Sequence, residues 1–309
     1  MAYNLKEQMS KPERFEAGHR LCAGCGAGIT CRAMMRAMES GDKAVICNAT
    51  SCLEVSSFQY PFTAWDDSYI HAAFENTSAV AAGVESAYKV MKKKGKIQDN
   101  FKILAIGGDG GTYDIGFQSL SGALERGHDF TYFCYDNEAY MNTGTQRSSA
   151  TPRFASATTT PAGVESVGKK QNQKDLTQIV VAHGSPYVAQ TTFLGNFKDF
   201  HEKAHKAIYT EGPTFVNVLC PCPRGWQYSA ELLPEICRLA VDTCIWPLYE
   251  VENGEYHLTY MPKKKLPVEE FMKLQGRFRH CFKPGNEWTI EAAQNYVDEK
   301  WEALLAKCK

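Results

Sequence analysis

An acid set among four glycines, Gly107-Gly108-Asp109-Gly110-Gly111, and an asparagine 28 residues further on, Asn137, are the residues of this chain best suited to chemistry. The Asp109 carboxylate, the Asn137 amide oxygen and the Ala139 carbonyl are hard oxygen donors. Such a set suits Mg²⁺, which keeps few protein ligands and takes the rest from phosphates and water. The flanking glycines let backbone N–H groups come close to a diphosphate. A dinucleotide fingerprint fails because Tyr113 stands where its third glycine belongs, and no Gly-Lys-Ser/Thr follows to make a Walker loop. A second group is sulfur: Cys22 and Cys25 form a CxxC, Cys52 ends the run NATSC, and Cys220 and Cys222 alternate with prolines. CxxC alone is open between a redox dithiol, half a zinc knuckle and half an iron–sulfur site. Cys22, Cys25, Cys52 and one of the 220/222 pair supply four thiolates, enough for a [4Fe–4S] cluster. A structural zinc in a Cys₄ site is the alternative, although zinc sites usually use two close knuckles. His71 and Glu75 are acid/base candidates by type, with polar groups bonded at a helix start as the plainer reading of both.

The elements that carry these residues follow from hydrophobic pattern. Ile103–Ile106 reads as a strand buried on both faces, and Ile115, Phe117, Leu120, Ala123 and Leu124 as a helix stopped by Gly127. Phe130–Tyr135 is a second strand, which completes a βαβ unit whose parallel strands end side by side. Asp109 and Asn137 then project from one sheet edge, where open α/β sheets bind ligands. Ala44–Cys47 and Thr214–Leu219 are further buried strands, each leading to a cysteine loop. Residues 69–83 read as a loop entering a helix of small residues. Helices are expected over 175–181, 196–208 and 289–307, and a strand over 187–191. The fold class is α/β, a mostly parallel sheet flanked by helices.

Composition narrows the function classes. A hydrophobic share of 44% with 24 glycines describes a globular chain, not a disordered or fibrous one. A net charge of −1 argues against general nucleic-acid binding. No apolar run approaches the roughly 20 residues of a membrane span, and the N-terminal stretch has no apolar signal core. A cytoplasmic location is expected. There disulfides are rare, so metal or cluster ligation is a natural use for some of the twelve cysteines.

GDG followed by the distant asparagine resembles the signature of thiamine-diphosphate enzymes. The full set LCAGCGAG, NATSC, YIHAAFENTSAVAAG, GGDGGTYDIG, YDNEAYMNTGTQ, LCPCPRGW and PVEEFMKLQGRFRH resembles, over nearly the whole chain, the β subunits of pyruvate:ferredoxin oxidoreductases. These belong to the thiamine-diphosphate-binding 2-oxoacid:ferredoxin oxidoreductase family. The resemblance implies a single domain over 1–309, the diphosphate-binding half of the cofactor fold, with a C-terminal helical extension from about residue 262. It implies thiamine diphosphate, Mg²⁺ and a [4Fe–4S] cluster, with coenzyme A as co-substrate and ferredoxin as acceptor. On this sequence Asp109, Asn137 and Ala139 match the Mg²⁺ ligands, with Asn137 in place of the threonine of some relatives. Gly108, Gly110 and Gly111 match the diphosphate cradle. Cys22, Cys25, Cys52 and Cys222 match the cluster ligands, with Cys220 the competitor for the fourth place. Phe74 resembles a residue packed on the thiazolium, and Asn142, beside Thr143, the polar group facing substrate or aminopyrimidine. Cys52 also adjoins the cofactor.

The implied partners are an α subunit that supplies the pyrimidine-binding domain and the activating glutamate, and γ and ferredoxin-like δ subunits or fused equivalents. The expected reaction converts pyruvate, coenzyme A and oxidised ferredoxin to acetyl-CoA, carbon dioxide and reduced ferredoxin. One alternative keeps the chemistry on a branched-chain, aryl, oxalate or 2-oxoglutarate substrate. Another is a noncatalytic electron-transfer or scaffold subunit with a structural Cys₄ centre.

Overall fold

A computed structural model describes residues 4–308. The first half runs α1 (Leu5–Ser10), α2 (Gly26–Arg36), β1 (Lys43–Ala49), α3 (Cys52–Ser57), β2 (Phe58–Gln59), β3 (Phe62–Thr63), β4 (Ser68–Ala72), α4 (Thr77–Lys93), β5 (Phe101–Gly108), α5 (Phe117–Glu125) and β6 (Thr131–Asp136). The second half runs α6 (Leu176–Val181), β7 (Tyr187–Thr191), α7 (Phe197–Tyr209), β8 (Thr214–Leu219), α8 (Pro223–Trp226), α9 (Leu233–Asp242), β9 (Tyr249–Glu252), β10 (Glu255–Leu258), α10 (Val268–Met272) and α11 (Glu287–Leu305).

Eight strands make one sheet in the order β10-β9-β7-β8-β6-β5-β1-β4, and β2 with β3 forms a separate small hairpin. All pairings from β4 to β7 are parallel, whereas β9 pairs antiparallel with both β7 and β10 and so runs against the rest of the sheet. The central strands are mostly apolar because both faces are covered. Leu104 and Ile106 of β5 face a core built with α2 and α7, whereas Ile103 and Ala105 face one built with α4 and α5. That is the two-residue alternation of a strand read from both sides. A third core gathers α9, α10 and α11 around Trp226, Trp246, Phe271 and Phe278.

Two stretches differ from expectation. Residues 69–71 lie in β4, an edge strand parallel to β1 with Asn48 opposite His71, and not in a loop. Its half-exposed positions and missing alternation hide it, because an edge strand with one open side needs no continuous apolar run. The β9–β10 hairpin is additional to the expected elements. Its turn holds Asn253 and Gly254 at φ +49° and +87°, the left-handed pair that an Asn-Gly turn favours.

β5 and β6 pair with Gly108 opposite Tyr135. Asp109 and Asn137 therefore leave adjacent strands at the same edge, as the βαβ reading requires. The chain after Asp109 forms a π-helical turn, Gly110–Ile115, before α5 begins, and Gly127 closes that helix with φ +68°. No helix among the described residues is long and apolar enough to cross a membrane.

Candidate active site

Asp109 is wholly buried at the end of β5. Its Oδ2 accepts from Ser148 Oγ at 2.5 Å and its Oδ1 from the Asn137 N–H at 3.3 Å. The Asn137 side-chain oxygen faces other oxygens: Ala139 O stands 2.8 Å away and Asp109 Oδ1 2.9 Å. Three oxygens gathered in this way repel each other unless a cation joins them, or unless the amide turns over and its Nδ2 donates to both. Adjacent oxygens of an octahedral Mg²⁺ with bonds near 2.1 Å lie about 3 Å apart, so the donor set fits that ion.

Burial pushes the Asp109 carboxyl up to about 8, with nearby Glu138 adding to the rise and the Ser148 and Asn137 hydrogen bonds opposing it. An unfolded chain loses this proton near pH 4. The cation-free fold keeps it to about 8, so the fold loses stability as pH rises across that window. Cation binding needs the carboxylate and must release the proton. Affinity for Mg²⁺ with thiamine diphosphate should therefore climb from pH 6 to pH 8 and level off above. Calorimetric titration in buffers of different ionisation heat reads the released proton directly, and pH-independent affinity with no proton release would contradict this.

One cleft is walled by Gly108, Asp109, Gly110, Gly111, Asn137, Ala139, Asn142, Thr143, Cys52 and Phe74, joined by Thr50, Ser51, Tyr135, Tyr140 and Met141. Gly110 lies against the Tyr140 ring, which a Cβ there would meet at 2.5 Å, and a Cβ at Gly111 would meet Phe74 O at 3.1 Å. Side chains at either position would push Tyr140 and Phe74 away from the 110–115 turn. The Phe74 and Tyr140 rings stack at 5.7 Å across this cleft. Glu75 is exposed beside it. His71 bonds Thr50 Oγ1 through Nε2 at 2.6 Å and stands 3.6 Å from buried Glu54.

The cysteines approach the same edge from three helix starts. Cys25 caps α2, Cys52 is the first residue of α3, and Cys222 caps α8, where its sulfur accepts from the Gly225 N–H at 3.4 Å. Burial pushes the Cys52 thiol up to about 12, with Cys222, Cys25, Asp109 and Cys22 adding to the rise. Burial also raises Cys25 and Cys222, and there the N–H groups of Ala27, Gly28, Arg224 and Gly225 oppose it. Cys220 points elsewhere: it is fully buried and donates to Thr30 Oγ1 at 3.4 Å. The charges that act on Cys25 and Cys52 include those of Cys22 and Cys222. Gly26 makes the approach possible, because a Cβ there would lie 2.8 Å from the Cys220 backbone. Among the described residues, no three His, Cys, Asp or Glu side chains close around a single ion.

Several residues at the site escaped the sequence reading. Ser148 bonds Asp109, Trp226 Nε1 donates to Asn137 O at 2.7 Å, and Arg277 pairs with Glu138 at 2.5 Å. Trp226 and Arg277 leave a sequence trace only as members of the resembling runs LCPCPRGW and QGRFRH, and Ser148 lies outside all the resembling runs.

The C-terminal cofactor-binding domain of thiamine pyrophosphate enzymes matches residues 47–218. Pyruvate synthase subunit PorB of Methanocaldococcus jannaschii is 52% identical over 96% of this chain and 98% of its own length. The chain belongs to this family. Ketoisovalerate oxidoreductase subunit VorB of Pyrococcus furiosus is 44% identical over 97% of this chain and 96% of its own. A solved 2-oxoglutarate:ferredoxin oxidoreductase from Magnetococcus marinus aligns with a TM-score of 0.57 at 22% identity, over 77% of this chain and 81% of that one, and shares the fold. The PorB-family chain is a subunit of an oxidoreductase of the 2-oxoacid:ferredoxin type with a thiamine-diphosphate-binding domain.

Proposed function

We propose that the chain is the β subunit of a pyruvate:ferredoxin oxidoreductase, which holds the diphosphate end of thiamine diphosphate and the cluster that receives its electrons. The observation that carries this reading is the Asn137 side-chain amide lying 2.8 Å from Ala139 O and 2.9 Å from Asp109 Oδ1, in a cleft that Cys52 also lines. Asp109, Asn137 and Ala139 would ligate Mg²⁺, and Cys22, Cys25, Cys52 and Cys222 a [4Fe–4S] cluster. When bound, thiamine diphosphate supplies the carbon nucleophile and electron sink for decarboxylation of a 2-oxo acid, and the cluster supplies a one-electron acceptor.

The protein's part is position and electrostatics. Asp109, held by Ser148, would help hold the cation that offsets the charge of a diphosphate in the cleft. The N–H groups of the 110–115 turn hold phosphate oxygens. Phe74 offers a flat apolar face to the thiazolium once it parts from Tyr140, and Asn142 and Thr143 give the cleft a polar wall for substrate. Cys52 lines the cleft and neighbours the other thiols, so a cluster held there would adjoin a cofactor in the cleft.

The acid that acts on the aminopyrimidine comes from the α subunit in this reading. Glu138, the glutamate behind the cleft, is turned away onto Arg277. Purified alone without oxygen, the chain should bind Mg²⁺ and cofactor yet show no turnover, and adding the α subunit should restore it. Steady CoA-dependent turnover by the pure isolated chain would overturn this division of labour.

A further inference from the structure

The turn that presents Asn137 and Ala139 is held in an unusual way. Glu138 between them has φ +64°, a left-handed conformation that side chains other than glycine and asparagine rarely adopt. Its side chain is 3% exposed and lies against the Arg277 guanidinium at 2.5 Å. Arg277 is itself buried, its guanidinium 3.7 Å from the centre of the Trp226 ring, and its Nε donates to Gln275 Oε1 at 2.8 Å. The same Trp226 donates to Asn137 O, Asp136 Oδ1 accepts from the Glu138 N–H at 2.9 Å, and Thr151 Oγ1 donates to Glu138 O at 2.6 Å. The Asn137 carbonyl and the Glu138 N–H, carbonyl and side chain are thus tied down from behind. Arg277 is the cationic tether among them, and the chain delivers it from beyond the sheet.

We infer that Arg277 is a positioning residue for cofactor binding: by pairing with Glu138 it holds the left-handed turn that aims the Asn137 and Ala139 oxygens at Asp109. A buried ion pair adds little to stability by itself, since desolvation of both charges offsets their attraction. Its use here is geometric. The guanidinium fork and its stacking on Trp226 fix a direction that an ammonium cannot. The inference rests on the reading of Asn137 and Ala139 as cation ligands.

The test is the Mg²⁺ concentration that gives half-maximal thiamine-diphosphate binding in the assembled complex. Groups that orient metal ligands typically change metal affinity by about 10- to 100-fold when altered. Arg277→Lys keeps the charge, leaves no orphaned carboxylate and should fold. It should raise the required Mg²⁺ by about tenfold or more, with excess Mg²⁺ restoring full occupancy. Arg277→Met with Glu138→Gln removes both charges and should raise the requirement by a similar factor while the melting temperature of the cofactor-free complex stays near the parent's. A merely structural role would lower that melting temperature and leave the Mg²⁺ requirement of the folded fraction unchanged. An unchanged requirement in Arg277→Lys overturns the inference. Asp109→Asn, measured alongside, separates the two levels. If it too leaves binding intact, the ligand reading itself has failed; if it abolishes binding while the Arg277 variants do not, only the positioning role is lost.

Discussion

Asp109→Asn should abolish thiamine-diphosphate binding at ordinary Mg²⁺ concentrations and reduce turnover to background. A carboxylate within a few ångströms of a cation at an effective dielectric constant near 20 contributes on the order of 4 kcal/mol. Losing it costs roughly a thousandfold in affinity. The substitution is nearly isosteric, and the cofactor-free fold should not suffer. The buried carboxyl already holds a proton up to about pH 8, so an amide replaces a group that is neutral there. The parent complex should gain melting temperature when Mg²⁺ and thiamine diphosphate are added, whereas the variant should gain none. Retained activity in the variant would favour a scaffold in which the glycine loop is only a turn, and equal loss of cofactor-free stability would make Asp109 a packing residue.

The second large effect concerns sulfur. Cys222→Ser should remove the visible absorption and the reduced-state EPR signal of a [4Fe–4S] centre, and with them all electron delivery to ferredoxin. Cys220→Ser should keep both, at a cost of about 1 kcal/mol in stability from a buried hydroxyl paired with Thr30. The contrast is informative because the two cysteines are two residues apart in one Pro-Cys-Pro run. Cys222 caps α8 and its sulfur accepts from the Gly225 N–H, whereas Cys220 is buried against α2. The opposite outcome, signal lost in Cys220→Ser and kept in Cys222→Ser, would require the 220–222 loop to rearrange on assembly. Iron replaced by a single bound zinc in the native complex would contradict the cluster itself.

Much of this was legible because the sheet is buried on both faces. β5, β6 and β8 are mostly apolar runs, and the residues that follow neighbouring parallel strands share one edge. Asp109 and Asn137 could be placed together on that rule alone. β4 was hidden because an edge strand with one open face carries no such run. The Asn253-Gly254 turn carried its own signal, an Asn-Gly pair between short alternating segments, and marks the antiparallel edge. What no local pattern reveals is a partnership made by packing between distant elements. Ser148 on Asp109 and Arg277 on Glu138 are of this kind. Nor could spacing choose between Cys220 and Cys222, since strand β8 ends just before both and the direction of each sulfur is set by where α2 lies. Substrate choice is unreadable for a related reason. Relatives acting under the names pyruvate synthase and ketoisovalerate oxidoreductase share 52% and 44% of this sequence, and the cleft described here is only the cofactor's side of the pocket.

The most direct measurement is made on the native complex, purified without oxygen and supplied with coenzyme A, Mg²⁺ and thiamine diphosphate. Ferredoxin or viologen reduction is followed across pyruvate, branched-chain, aryl, oxalate and 2-oxoglutarate substrates. The account predicts rapid, coenzyme-A-dependent reduction with pyruvate strongly preferred. Preference for a branched-chain acid would contradict the substrate assigned and leave the cofactor chemistry standing. No reduction by any 2-oxo acid, in a complex with its cofactors intact, would contradict the central claim.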